Sequence, residues 1–144
     1  MSARFRLVSA VHLFLFNEGR LLLLRRFQTG YEDGKYSVVA GHLEGNETVV
    51  AAAVREAREE VGVALAPEDV AVAGVMHRRS NDERIDWFVT CPRWTGTARN
   101  AEPDKCDELR WADPRALPED VIPYVRRAIE NYLAGRWFDS FGFS

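Results

Sequence analysis

The order of apolar and polar positions predicts a chain of short strands interrupted by two helices. Residues 5–16 are rich in Val, Leu and Phe, which indicates a strand, and residues 17–20 carry a turn signal. A strand is expected again at residues 21–24, so the first two strands should form a β-hairpin. Further strands are predicted at residues 36–40, at 70–79 and 84–94 as a second hairpin, and within 109–114 before a turn.

The central helix is predicted from both its periodicity and its ends. Apolar residues recur on one face at i, i+4, i+7 and i+11, beginning at Val50. Thr48 suits the N-cap, and Gly62 suits a left-handed residue that closes the helix. A second apolar set predicts a helix over residues 117–133. Helices that separate strands in this way favour an α/β fold, a mixed sheet with helices on its faces.

Length and composition limit what the chain can be. At 144 residues it can bury a substantial core, and we interpret residues 1–144 as a single domain. The formal net charge of −3 argues against a broad surface for polymeric nucleic acid, but not against a nucleotide. We see no apolar run that would span a membrane, and the N-terminal segment lacks a cleavage pattern. Two cysteines without a C-x-x-C motif favour a cytoplasmic protein with free thiols.

Three carboxylates on the central helix break a local rule. Glu56, Glu59 and Glu60 stand at i, i+3 and i+4, so they share one face of the helix. Like charges at this spacing, near a helix C-terminus, destabilise the helix by roughly a few tenths of a kcal/mol each. Such a pattern is typical of a functional site, and a hard divalent cation such as Mg²⁺ would justify it. A solvated acidic helix with surface ion pairs is the alternative.

The spacing around these carboxylates resembles a known signature. It is similar to the Nudix box of the Nudix (MutT-like) pyrophosphohydrolases and reads Gly41-x5-Glu47-x7-Arg55-Glu56-Ala57-x-Glu59-Glu60-x-Gly62-Val63. Every charged and glycine position is filled, and Ala57 is the one departure, since a larger aliphatic residue is usual there. The resemblance implies a Nudix-type α/β/α sandwich with a mixed β-sheet.

The resemblance also implies roles for the residues of the box. Glu56 is the first choice for the general base, and a loop acid is the alternative that some relatives use. Arg55 would orient a carboxylate through a bidentate contact, with Glu47 as its partner, and Glu47 would hold the loop. One or more Mg²⁺ ions, for which Mn²⁺ can substitute, would be held by the oxygen atoms of the Gly41 carbonyl, Glu56, Glu59 and Glu60.

Substrate contacts are expected outside these catalytic residues. The glycine-rich loop after the second strand contains Tyr31, which together with Arg26 would meet a base and phosphates; an ordinary solvated loop is the alternative. His42 adjoins the box glycine and is a further candidate for contact with phosphate or substrate. In related enzymes an aromatic residue and an acid near Trp111 and Asp113 hold a purine. A buried Trp and a helix-capping Asp are the alternatives at these two positions.

A second polar concentration lies at residues 95–110. A position in this segment that often carries an acid in the family holds Thr97 here. Glu102 is the first substitute for that acid and Glu108 is the second. An exposed acidic loop is the alternative interpretation of the segment.

The reaction implied by the resemblance is Mg²⁺-dependent hydrolysis of a pyrophosphate bond in a nucleoside diphosphate linked to another group. A nucleoside triphosphate, including an oxidised one, cleaved to monophosphate and pyrophosphate is the first expectation. Nucleotide sugars or dinucleoside polyphosphates are alternative substrates, and a non-catalytic nucleotide-binding module is the alternative class. The aromatic tail, residues 136–144, packs either on the body of the protein or on a second subunit, which leaves a homodimer open.

Overall fold

A five-stranded mixed sheet carries one helix on each face in the computed structural model, which describes residues 3–144. Residues 1–2, part of the segment interpreted as lacking a cleavage pattern, lie outside the described residues. The arrangement confirms the expected α/β class with a mixed sheet. In chain order the elements are β1 (Val8–Phe14), β2 (Phe16–Asn17), β3 (Arg20–Arg26), β4 (Tyr36–Ser37), β5 (Val39–His42), α1 (Val49–Val61), a 3-10 helix (Pro67–Asp69), β6 (Ala71–Arg79), β7 (Glu83–Thr90), β8 (Cys106–Ala112), α2 (Pro123–Ala134) and β9 (Phe138–Phe141).

The large sheet has the strand order β5-β1-β7-β6-β9. β1 links its two directions, because it pairs antiparallel with β5 and parallel with β7. β6 and β7 form the predicted second hairpin, and β9 pairs parallel with β6. β5 therefore forms one edge of this sheet and β9 the other.

A smaller antiparallel sheet is built around β3. β8 pairs along one side of β3, while β2 and β4 pair with successive parts of the other side. The chain then continues from β4 directly into β5. The segment that ends at Gly41 is thus anchored in the small sheet before it joins the edge of the large one.

The core lies on both faces of β1 because its side chains alternate. Val11 and Leu13 pack in an apolar cluster with the buried alanines of α1. Phe14 points the other way and packs with Ile129 of α2. Ala57, the one departure from the box, is fully buried in the α1 cluster. Its small side chain lets the helix lie close to the sheet.

The N-terminal strand is divided between the two sheets, so the expectation of one strand over residues 5–16 is wrong. β1 ends at Phe14 in the large sheet, and Phe16–Asn17 alone continue into the hairpin with β3. The hairpin turn has positive φ at Glu18 (51°) and Gly19 (76°), as two-residue hairpin loops require. Apolar residues continue through the break, so the pattern does not mark it.

The second helix begins later than predicted. It spans Pro123–Ala134 rather than residues 117–133, and its first residue is a proline, whose fixed φ suits that position. Val121 instead forms a β-bridge with Tyr36, and the Ile122 N–H donates to the Tyr36 carbonyl at 3.0 Å. These two apolar residues pack in the core from an extended segment. Their spacing in the sequence is the same as that of residues in a helix, so it does not distinguish the two conformations. Across residues 3–144, no helix is long and apolar enough to cross a membrane.

The aromatic tail packs on the body of the protein and adds strand β9 to the large sheet. Asp139 of this strand is 6% exposed, and its Oδ2 accepts hydrogen bonds from Arg127 and Asn131 of α2. Trp137 and Phe138 remain about half exposed. Pairing with β6 and the polar contacts between Asp139 and α2 therefore hold the tail on the body of the protein.

A buried polar network lies between the large sheet and α2. His12 of β1 is 1% exposed, and its Nε2 lies 2.9 Å from the Tyr124 hydroxyl. The Arg78 Nε donates to Asp86 at 2.6 Å, and the guanidinium lies over the Tyr124 ring, 3.6 Å from its centroid. The pKa of His12 is lowered to about 4, chiefly by burial; the charge of Asp86 opposes this shift, and the charges of Arg78 and Arg84 add to it. His12 is therefore neutral at neutral pH.

We predict that His12 makes stability depend on pH between 7 and 5. The folded protein keeps His12 neutral down to about pH 4, whereas the unfolded chain binds a proton near pH 6.5. Protons on His12 therefore favour unfolding in this window, and the contribution of His12 to the free energy of unfolding falls by about 2 kcal/mol from pH 7 to pH 5. Urea unfolding at both pH values measures the change.

His12→Gln should show a smaller loss over the same window, while the matched variant His42→Gln, at an exposed histidine, should behave like the wild type. An identical pH dependence in the wild type and His12→Gln would contradict the prediction.

Candidate active site

Both ends of α1 are fixed by the local sequence, which sets the position of its acidic face. The Thr48 hydroxyl accepts a hydrogen bond from the Ala51 N–H at 3.0 Å. Gly62 has a φ of 70° and donates to carbonyls of the last turn. These contacts confirm the predicted caps. A helix with fixed ends presents residues 55–60 at a fixed height along the edge strand β5.

Gly41 of β5 lies directly against the Glu56 carboxylate. A Cβ atom at position 41 would lie 2.1 Å from Glu56 Oε1 and 2.6 Å from Oε2. Any side chain here would therefore displace the carboxylate. Gly41 is not among the residues with positive φ, so the close approach of the helix, rather than backbone conformation, accounts for the glycine.

Arg55 connects most of the acidic groups. Its Nε and Nη2 donate to the two carboxylate oxygens of Glu47 at 3.2 and 2.7 Å, and Nη1 donates to Glu56 Oε1 at 2.7 Å. Weaker contacts reach Glu59 at 3.5 Å and the His42 carbonyl at 3.2 Å. The hydrogen bonds with Glu47 raise the pKa of Arg55 more than any other favourable contact. Arg55 therefore stays charged and orients two carboxylates.

Glu47 holds the loop that enters the helix. Besides its contact with Arg55, it accepts a hydrogen bond from the Glu44 N–H at 2.9 Å. The Arg55 contact, followed by that N–H, lowers the pKa of Glu47 below its usual range. Gly45 and Asn46 between them have positive φ values of 87° and 53°. Glu47 thus closes a tight turn and acts as a structural carboxylate.

Glu60 lies partly buried against β5 and Glu56. Its Oε2 accepts a hydrogen bond from the Ala40 N–H at 3.2 Å. Burial is the largest cause of a pKa well above the usual range of Glu60, followed by the hydrogen bond and charge of Glu56 and then the charge of Glu102. A carboxylate whose pKa is raised by neighbouring carboxylates lies in a site that a cation would stabilise.

An acidic cleft of about 390 Å³ contains these groups. Glu56, Glu59 and Glu60 line it from α1, Glu102 from a loop, and residues 40–42 from β5. Within residues 3–144, no three acidic, histidine or cysteine side chains converge tightly enough to ligate one ion on their own. The donors nevertheless fit a hard divalent ion, because they are oxygens and such ions keep several water ligands.

A second cleft, of about 350 Å³, adjoins the acidic cleft at β5. The two clefts share Arg26 and residues 40–42 as lining. Small-molecule sites commonly have volumes in this range. The two clefts are therefore neighbours along β5, and the second differs from the acidic one in its lining. Polar and aromatic side chains line the second cleft: His12, Tyr31, Arg78, Arg84 and Tyr124.

Arg26, Tyr31 and His42 all line this second cleft, and Arg26 and His42 line both clefts. The Arg26 guanidinium donates to the Tyr31 carbonyl at 2.6 Å and to the Thr29 hydroxyl at 3.0 Å. Asp33 accepts hydrogen bonds from the Thr29 N–H and hydroxyl and shapes the same loop. The loop thus holds Arg26 and Tyr31 at the junction of the two clefts.

The two loop acids take different positions. Glu102 lines the acidic cleft together with Lys105, whose Nζ lies 3.8 Å from its carboxylate. Glu108 accepts a hydrogen bond from the Tyr36 hydroxyl and lies 3.8 Å from Arg25. Glu102 is therefore the loop acid placed to face the box.

Trp111 and Asp113 are not brought together with the box. Trp111 stacks on Trp94, with ring centroids 6.4 Å apart, and packs against the α1 cluster. Asp113 is exposed and accepts a hydrogen bond from the Arg115 N–H at 2.9 Å. Neither is among the described residues that line the two clefts.

Sequence reasoning missed the base of the second cleft. His12, Arg78 and Tyr124 belong to no recognisable motif. They meet because β1, β6 and α2 pack together, and the spacing of residues within one segment does not predict that packing. The signal available in the sequence is the polar end of β6, where His77, Arg78 and Arg79 follow an apolar stretch.

Comparisons with known proteins agree with this architecture. The NUDIX domain family matches residues 6–132. The RNA pyrophosphohydrolase of Acidiphilium cryptum (strain JF-5) is 28% identical over 135 residues, which cover 78% of this chain and 79% of that protein.

Solved structures share the fold. The MutT NUDIX hydrolase from Burkholderia pseudomallei superposes with a TM-score of 0.79 at 24% identity, covering 88% of this chain and 98% of that one. The E. coli ORF135 protein superposes with a TM-score of 0.77 at 22% identity, and the match covers 91% of each chain. The MutT protein from Methanosarcina mazei Go1 superposes with a TM-score of 0.78 at 20% identity, and the match covers 92% of this chain and 97% of that one.

We predict that Gly41→Ala destabilises the protein through Glu56 alone. The added methyl group overlaps the Glu56 carboxylate, and such overpacking typically costs about 1–3 kcal/mol. In a Glu56→Ala background the same substitution should cost much less, because the clashing atoms are gone. Urea unfolding of the wild type, both single variants and the double variant completes the cycle. Equal costs in the two backgrounds would mean that Gly41 is constrained by something else.

Proposed function

Because this chain belongs to the NUDIX family of hydrolases, we propose that it is a pyrophosphohydrolase acting on a nucleoside diphosphate linked to another group. A nucleoside triphosphate, intact or oxidised, is the first candidate substrate and would yield monophosphate and pyrophosphate. One observation carries this proposal: Glu56 and Glu60 lie together next to Gly41 in the acidic cleft, and a second cleft shares residues 40–42 with it. The phosphates would lie in the acidic cleft and the nucleoside in the second.

NUDIX hydrolases generally use divalent metal ions, and Mg²⁺, with Mn²⁺ as its substitute, is the ion proposed here. The Gly41 carbonyl, Glu56, Glu59 and Glu60 would hold it, in keeping with the oxygen chemistry that Mg²⁺ prefers. When bound, the ion supplies positive charge that neutralises phosphate oxygens and makes a water more acidic.

The side chains of the box supply the remaining roles. Glu56 is the proposed general base, since it is 8% exposed, is held in place by Arg55 and lines the acidic cleft. Glu102 is the alternative base, because it faces the box from the opposite side of the acidic cleft. Arg55 and Glu47 position these groups without contacting the reacting atoms.

A second candidate substrate is the 5′-triphosphate end of an RNA. It is favoured by the similarity to the Acidiphilium cryptum RNA pyrophosphohydrolase, and it presents the same chemical linkage as a free triphosphate. The net charge of −3 supports the free nucleotide as the first candidate, since a polymer is usually gripped through a basic surface.

We predict that hydrolysis requires an added divalent metal. EDTA should abolish turnover, and Mg²⁺ or Mn²⁺ should restore it, because clustered carboxylates repel phosphate without a cation. Product release would be measured for nucleoside triphosphates, 8-oxo-dGTP, a nucleotide sugar, a dinucleoside polyphosphate and 5′-triphosphorylated RNA. Turnover confined to the RNA would replace the first candidate by the second. No turnover of any compound would favour a nucleotide-binding module without catalysis.

We predict that Glu60→Gln lowers turnover by more than about a hundredfold while the fold is retained. The amide keeps the shape of the side chain and its contact with Ala40 but loses the negative charge. Rates with Mg²⁺ and the best substrate of the panel, together with circular dichroism, measure both effects. Glu68→Gln, at an exposed acid on the 3-10 helix, is the matched control and should retain wild-type rates. An unchanged rate for Glu60→Gln would remove this carboxylate from the mechanism.

A further inference from the structure

Arg78 has unused hydrogen-bonding capacity inside the second cleft. Its side chain is 5% exposed, yet among residues 3–144 its one hydrogen bond runs from Nε to Asp86. A guanidinium carries five N–H donors in a rigid fork, so the four on its terminal nitrogens are left. The buried atoms that lack a hydrogen-bond partner do not include these two nitrogens, so the nitrogens retain some contact with solvent. Arg78 lines the second cleft, where a ligand would meet these donors.

The position of this fork is fixed by its neighbours. The guanidinium lies flat on the Tyr124 ring, 3.6 Å from its centroid, and the Tyr124 hydroxyl is bonded to His12. Asp86, which is fully buried, holds Nε at 2.6 Å from the other side. A fork held in this way loses little freedom when it binds a ligand, which favours specific recognition over loose charge attraction.

We propose that Arg78 recognises the nucleobase through two adjacent acceptors, a carbonyl oxygen and a neighbouring ring nitrogen. Guanine presents such a pair at O6 and N7, and cytosine presents one at O2 and N3. The inference rests on the proposed function in one respect, since it places the nucleotide phosphates in the acidic cleft.

The other bases do not offer this pair. Adenine carries an amino donor beside its ring acceptors, and uracil carries an N–H between its two carbonyls. With either base, an N–H of Arg78 would face an N–H of the base, and no hydrogen bond could form. 8-Oxoguanine carries a proton on N7 and loses the guanine pair. One bidentate contact corresponds to roughly tenfold to hundredfold discrimination.

Binding of nucleoside monophosphates tests this inference without requiring turnover. Titration calorimetry with GMP, CMP, AMP and UMP should show at least about tenfold tighter binding of GMP or CMP than of AMP and UMP. The comparison of GMP with CMP identifies which of the two acceptor pairs is used. If GMP is favoured, 7-deaza-GMP, which lacks N7, should bind like AMP. Equal binding of all four, a preference for AMP or UMP, or full binding of 7-deaza-GMP would overturn the inference.

Substitution of Arg78 tests its role directly. Arg78→Lys keeps a positive charge beside Asp86 but replaces the fork by a single ammonium group, so the preference should fall to within about threefold. The double variant Arg78→Gln with Asp86→Asn removes both charges together and serves if the lysine variant does not fold. Arg79→Lys makes the same change at the adjacent, exposed position and should keep the wild-type preference. Selectivity that survives in both Arg78 variants would overturn the inference.

Kinetics separate this inference from the proposed function. Base-selective binding that depends on Arg78, without hydrolysis of any nucleotide, would support the recognition and reject the catalytic proposal. Hydrolysis of all four nucleoside triphosphates with equal kcat/KM would support catalysis and reject recognition by Arg78.

Discussion

The close approach of α1 to the backbone of β5 is the constraint on which the site depends. No side chain fits between Gly41 and the Glu56 carboxylate, and the small residues of α1, including Ala57, are fully buried against the sheet. Because the helix lies this close, Glu60 reaches the Ala40 N–H. A bulkier contact surface on α1 would lift the carboxylates away from the edge strand. The glycine and the alanines are thus as much part of the site as the acids.

The second constraint is charge. Glu47, Glu56 and Glu59 surround Arg55, which offsets part of their mutual repulsion by binding Glu47 and Glu56 at 2.7 Å. Glu60 is not neutralised in this way, and burial and its acidic neighbours hold its pKa high. Arg55 therefore offsets only part of the negative charge of the glutamates. The remaining acidic groups form a site suited to a cation. A purely structural ion-pair network would have matched each carboxylate with its own base.

The extent to which sequence predicts this structure follows from how local each feature is. The caps of α1 and the acidic face lie within one continuous segment, so spacing alone predicts them, and the structure has the helix at Val49–Val61. The second helix was extended too far because Val121 and Ile122 look helical by spacing, yet they pair with Tyr36 in an extended segment. The split of the N-terminal strand is also decided by distant partners. Contacts between segments far apart in the chain leave no periodic trace.

The same difference separates the reaction from its specificity. The residues of the box lie on β5 and α1, and the side chains at the base of the second cleft lie on β1, β6 and α2. The β1–β5 register places His12 opposite Ala40 and Val11 opposite Gly41, so the two clefts are neighbours along one strand pair. The recognition proposed for Arg78 could therefore change without moving α1, since the two sets of residues share backbone but few side chains. The spacing of the box indicates pyrophosphate chemistry, whereas the proposed choice of nucleoside depends on residues elsewhere in the fold.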